Sequence, residues 1–113
     1  MKTLLFTLSV LLTSFLMAKP PSGELEINKE DCTCNGKKLY GKVKVTEMSD
    51  AADFYIRETN VGQDIEVKVV NYSPEKCGEW QFTDSYSDAD FIVAYTNVGP
   101  NFEIKFSNFP GVK

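Results

Sequence analysis

An eleven-residue unit recurs through the chain and constrains its fold more than any other feature. Aligning acidic or amide residues with the apolar residue eight places on pairs Asp53 with Val61, Asp64 with Tyr72, Asp90 with Val98 and Asn101 with Phe109. Met48 and Tyr86 take the closing place in two further units. The closing residues Met48, Val61, Tyr72, Tyr86, Val98 and Phe109 are then spaced by 13, 11, 14, 12 and 11 residues. Within each unit the side chains alternate with period two, the signature of a strand. One face reads Gly41, Val43, Val45; then Phe54, Ile56, Glu58; then Ile65, Val67, Val69. It continues with Trp80 and Phe82, with Phe91, Val93, Tyr95, and with Phe102, Ile104, Phe106. The other face carries Lys44, Arg57, Lys68 and Lys105 among its polar residues, so the strands are expected to be half-buried. Phe91 to Tyr95 is apolar on both faces and is expected to be the most enclosed.

The joints carry turn residues: Val61-Gly62-Gln63-Asp64, Ser73-Pro74-Glu75, Ser87-Asp88-Ala89-Asp90 and Val98-Gly99-Pro100-Asn101. Asn35-Gly36 signals a two-residue hairpin. Leu25 to Ile27 is expected as one more short strand, and Ser49 to Asp53 as a single helical turn. The class that follows is all-β, one compact domain of about seven short strands. Its expected core is Phe54, Ile56, Ile65, Val67, Val69, Trp80, Phe82, Phe91, Val93, Ile104 and Phe106.

Composition narrows the chemistry. The 113 residues contain no His, which removes Ser-His-Asp and Cys-His catalysis and imidazole zinc sites. Twelve Lys and Arg against 16 Asp and Glu give a net charge of −4, the wrong sign for a nucleic-acid partner. At the start, Lys2 precedes an uncharged, mostly apolar stretch from Leu4 to Met17, and Ala18 offers a small residue before Lys19-Pro20-Pro21. That is the shape of a secretory signal peptide over residues 1–18. It is short for a membrane span, so none is expected after signal removal. Cleavage would drop Lys2 and take the mature charge to −5. In the exported context so implied, three Cys make a disulfide the natural staple for a small domain: Cys77 to Cys32 or to Cys34.

Several blocks resemble the septoil knot domain family. They are Leu39-Tyr40-Gly41-Lys42-Val43-Lys44-Val45, Lys68-Val69-Val70-Asn71-Tyr72-Ser73-Pro74, and Cys77-Gly78-Glu79-Trp80-Gln81-Phe82-Thr83-Asp84-Ser85-Tyr86. Phe102 to Phe106 with Asn108-Phe109-Pro110-Gly111 completes the set. The resemblance spans Cys32 to Gly111 and implies a small β domain whose backbone forms a seven-crossing torus knot. With the signal-like start read above, the chain divides into a signal peptide at 1–18, a leader at 19–31 holding the short strand expected at Leu25 to Ile27, and a septoil-knot-like β domain at 32–113. The family-like Asp31-Cys32 to Asn35-Gly36 spacing prefers Cys32 as the partner of Cys77. No activity, cofactor or catalytic residue comes with the resemblance.

Each candidate for chemistry has a structural reading beside it. Three thiols suit a soft metal or thiol exchange, but Cys-x-Cys lacks a fourth ligand. Asp84, Asp88 and Asp90, and Asp50 with Asp53, offer hard oxygen ligands, yet the calcium-loop pattern is incomplete and Asp favours turns. Glu58 stands where the repeat wants an apolar residue, and a buried carboxylate there would be a candidate acid. Trp80 is expected in the core. No catalytic, cofactor-binding or metal residue is therefore assigned. The leading expectation is an exported, non-enzymatic structural or interaction module, its partner an unidentified protein or a second copy. The alternatives are a small hydrolase working through paired carboxylates, and a carbohydrate or peptide binder using Tyr40, Tyr55 or Tyr95. The hydrolase needs two acids facing one pocket, and the binder needs an open aromatic groove.

Overall fold

The computed structural model describes residues 22–113; the expected signal peptide lies outside them. Three two-residue strands come first: β1 (Ile27–Asn28), β2 (Thr33–Cys34) and β3 (Lys37–Lys38). β2 and β3 form a hairpin closed by Asn35 and Gly36 at φ 56° and 84°, the left-handed pair that such a turn requires. Six longer strands follow: β4 (Gly41–Val45), β5 (Phe54–Glu58), β6 (Ile65–Val69), β7 (Glu79–Phe82), β8 (Phe91–Tyr95) and β9 (Phe102–Phe106). β10 (Gly111–Val112) is the last strand, and among the described residues one 3-10 turn spans Ser49–Ala51.

The six longer strands close on themselves in the order β4-β8-β5-β9-β6-β7, with β7 paired back to β4. Every one of these pairings is parallel. The stagger is uniform. Val43 sits opposite Phe91, Val93 opposite Phe54, Ile56 opposite Phe102 and Ile104 opposite Ile65. The third residue of one strand thus meets the first of the next, a shear of about twelve residues around the ring that tilts the strands steeply.

The order also exposes a longer repeat than the eleven-residue one. Positions 37 apart match: Gly41 with Gly78, Thr46 with Thr83, Asp53-Phe54 with Asp90-Phe91, and Thr59-Asn60-Val61-Gly62 with Thr96-Asn97-Val98-Gly99. Glu66 with Glu103 and Lys68 with Lys105 continue it. β4, β5 and β6 of the first copy take alternate places in the ring, and β7, β8 and β9 of the second copy fill the gaps. The halves therefore interdigitate rather than pack side by side.

Two inward layers fill the barrel. Phe54, Ile65, Phe91 and Phe102 make one, and Val43, Ile56, Val67, Trp80, Val93 and Ile104 the other, all buried. Edge-on ring pairs Phe54–Phe91 and Phe54–Phe102 knit the first layer, and Trp80–Phe91 joins it to the second. The third inward position of each strand departs from expectation. Val69 is 52% exposed and Phe82 39%, Val45 and Tyr95 are exposed too, and Phe106 is only half-buried. Alternation places these residues on the inward face, but they lie at the C-terminal rim of the ring, where no further layer covers them. The expected solvent face also differs: Lys44, Arg57, Lys68 and Lys105 are half-buried, Arg57 lying against Glu103 of β9 and the Lys44 ammonium over the Tyr86 ring.

The N-terminal end of the ring is covered. Cys32, Cys34 and Leu39 join the barrel core, with Leu25, Ile27 and Cys77 packed against it. The backbone N–H of Gly23 donates to Gly99 O and that of Leu25 to Asn101 O, which pins the leader from Gly23 on.

Candidate functional site

The acids that mark the repeat hold the ring together. Asp53, Asp64, Asp90 and Asn101 each precede a strand and each clasp one residue of the neighbouring strand twice. Their side-chain oxygens accept from the N–H groups of Ile92 (2.8 Å), Glu103 (2.8 Å), Lys42 (2.7 Å) and Tyr55 (2.7 Å). Their own N–H groups donate to the carbonyls of the same four residues. The stagger leaves the start of each strand without a backbone partner on one side, and the clasp supplies it. In the β7 unit the equivalent place is held by Cys77, which is bridged to Cys32 with a Cα–Cα distance of 5.8 Å. Gly78 follows it at φ +86°, where a Cβ would fall 2.5 Å from Glu66 O. β10 pairs there instead, Gly111 opposite Glu66.

Hydroxyl residues close the strands at the other end. Thr46, Thr59, Thr83, Thr96 and Ser107 accept from the N–H two residues on, at Met48, Val61, Ser85, Val98 and Phe109. The fourth unit therefore closes on Ser85 rather than Tyr86. This hydroxyl position was readable in the sequence and was missed, because the alignment followed only the acidic and apolar places.

The remaining candidates fall apart as a site. Cys34 is the free thiol; it is buried, and burial pushes its pKa up, which disfavours the thiolate that metal binding or exchange needs. Asp84 and Asp88 are exposed in a turn, while Asp90 is committed to Lys42. Among the described residues no three His, Cys, Asp or Glu side chains are placed to share a metal ion. Glu58 is exposed at the rim. Among the described residues the buried carboxylate is Glu79, which accepts from the N–H groups of Glu75 and Lys76 and from the Tyr72 hydroxyl. Those backbone donors hold its pKa below the usual carboxylate value. Trp80 is fully buried, its indole N–H donating to Leu39 O at 3.0 Å.

Two of the three candidate tyrosines meet in one place. A groove of about 610 Å³ runs over the outer surface of β8 between the turns that follow β4 and β8. Its floor is Ala94 and Tyr55, paired across β8 and β5 and packed with Ala52. Tyr95, Val45 and Val98 form apolar walls, and Ser22, Thr46, Glu47, Ser49 and Thr96 bring oxygen. Burial and the nearby Glu58 raise the pKa of the Tyr95 phenol, so it keeps its proton. Tyr40 lies elsewhere, in a smaller hollow beside Lys37, Lys38 and Asp90, with the Lys38 ammonium 5.7 Å from its ring centre.

The exposed large apolar side chains share an address. Val45, Val69, Phe82 and Tyr95 end their strands, and Met48, Val61, Tyr72, Tyr86, Val98 and Phe109 lie in the turns that follow. Among the described residues no helix is long and apolar enough to cross a membrane. In comparison with known proteins, the model of the 7(1) septoil knot domain matches residues 36–113. No curated protein and no solved structure gives a significant match.

Proposed function

The chain belongs to the septoil knot domain family, and on that footing we propose that it is an exported, non-enzymatic interaction module. The observation that carries the reading is the lining of the β8 groove. Among the described residues it contains one carboxylate, Glu47, with hydroxyls, aliphatic side chains and two tyrosines. A hydrolase without histidine needs two carboxyl groups in opposed roles across the substrate. The strand-leading acids are committed instead to backbone amides. The Cys32–Cys77 bridge fits an oxidising compartment, in line with the signal-like start of the sequence.

Two measurements test the reading. Exported protein should have a mass beginning near Lys19, and an intact Met1 in that fraction would overturn export. The purified mature protein should leave chromogenic glycosides, esters and peptides unchanged between pH 4 and 8. Turnover that disappears in Glu47→Gln would show an enzyme.

A further inference from the structure

We propose that the groove over β8 binds a neutral carbohydrate, an inference that rests on the interaction-module reading and gives it a ligand. The starting point is the outward position just before the rim residue of each ring strand. It is Lys44 in β4, Arg57 in β5, Lys68 in β6, Gln81 in β7 and Lys105 in β9, but Ala94 in β8. The repeat itself shows what a long side chain does there. Arg57 stands 37 residues before Ala94, lies over its neighbour β9 with its Nε donating to Glu103 at 2.7 Å, and reaches the carbonyl of Asn97. Alanine removes that cover and opens the groove at this one place in the duplication.

What the groove offers selects the ligand class. Its volume lies in the range of small-ligand sites. Tyr95 is nearly half exposed, a flat partner for the C–H face of a sugar ring. Glu47 and Ser49 are exposed on the rim, and a carboxylate accepts from two neighbouring hydroxyls at once. Among the described residues no cationic side chain lines the groove, and a phosphate, sulfate or uronate would meet Glu47 with none of them to pair against. A peptide strand finds no main chain to join, since β8 is paired on both sides by β4 and β5 and the N–H groups of Thr46, Thr96 and Val98 are already used. A sugar needs only the ring face and the rim oxygens.

The test uses the mature protein and a panel of neutral oligosaccharides built from glucose, mannose, galactose or N-acetylglucosamine. A hexagalacturonate and a lysine-rich peptide serve as charged controls. Binding is followed by NMR shifts, because the single Trp80 is buried and silent. At least one neutral sugar should bind saturably. Tyr95→Ala and Ala94→Arg should each weaken it about tenfold or more, the loss expected of one aromatic contact or of a filled groove. Ala94→Arg installs the residue that the other half of the repeat already carries, and Tyr95 is at the rim, so both variants should keep the wild-type spectrum. Preference for the uronate or the peptide, binding unaffected by both variants, or no binding of any neutral sugar at 10 mM-scale concentration, about 3 kcal/mol of affinity, overturns the proposal. The two readings separate cleanly. A sugar bound and cleaved refutes the non-enzymatic reading and leaves the groove. A sugar neither bound nor cleaved refutes the groove alone.

Discussion

Asn101 gives the sharpest test of the clasps. It is fully buried. Its Oδ1 accepts from Tyr55 N–H at 2.7 Å, and its Nδ2 donates to Gly23 O at 2.8 Å. Asn101→Ala removes both bonds and leaves a buried amide without a partner, which costs about 1–3 kcal/mol, with about 1 kcal/mol more for the bond to the leader. The total of about 2–4 kcal/mol is a large share of the 5–15 kcal/mol typical of a domain, and corresponds to a melting point roughly 10–25 °C lower. Asn101→Asp keeps the acceptor but turns a donor into a carboxylate oxygen against Gly23 O. Its protonated form can still donate there, so its folded pKa sits above its unfolded one. Its stability is therefore retained below the unfolded pKa and lost as pH rises through the folded one. Asp64→Asn should be nearly neutral, since Asn101 shows that an amide oxygen suffices. Urea and thermal denaturation of the oxidised protein read all three. An Asn101→Ala protein within about 0.5 kcal/mol of wild type, the scatter of ordinary surface changes, would refute the idea that these side chains hold the ring.

Three other outcomes follow from the same geometry. Reducing the Cys32–Cys77 bridge, which spans a sequence separation of 45, should cost about 4 kcal/mol on the chain-entropy estimate, read as a shift in the urea midpoint; native peptide mapping should find Cys34 as the free thiol. Gly78→Ala should destabilise sharply, because the new methyl meets Glu66 O and the Gly111 N at 2.5 and 2.7 Å and φ is +86°; an unchanged melting point would contradict it. Glu79 has a folded pKa lowered by its backbone donors. Its contribution is thus present above the unfolded pKa and lost as pH falls through the folded one, so Glu79→Gln should flatten the acid side of the stability curve.

The alternation of Phe54-Tyr55-Ile56 or Ile65-Glu66-Val67 made strands and their inward faces readable without coordinates. It could not show where a face stops. Val69 and Phe82 continue the same pattern as Val67 and Trp80, but the end of a short barrel leaves them at a rim, and length along the barrel axis is not encoded in period two. The clasping residues Asp53, Asp64, Asp90 and Asn101 were visible as repeat markers, yet their partners lie 39 to 48 residues away, so turn chemistry was the natural local reading. The groove was hidden for another reason. Tyr55 and Tyr95 were evident as aromatics, but the hollow comes from a missing side chain at Ala94, and that gap shows only against Arg57 on the 37-residue offset.

The interleaving of the two halves has a consequence for how the chain is made and moved. Of the six ring ladders, only β6–β7 joins strands that are consecutive in sequence. β4 first meets a partner in β7, and β5 must wait for β8. A polypeptide emerging from the ribosome therefore has no ring ladder to form until Glu79 is synthesised, and the ring does not close until Phe106 follows. Such long-range closure is slow. On the export reading proposed above, the order is useful: β4, β5 and β6 have no ladder to form with one another while they thread a channel, and the ring closes on the far side, where Cys32 and Cys77 can be oxidised.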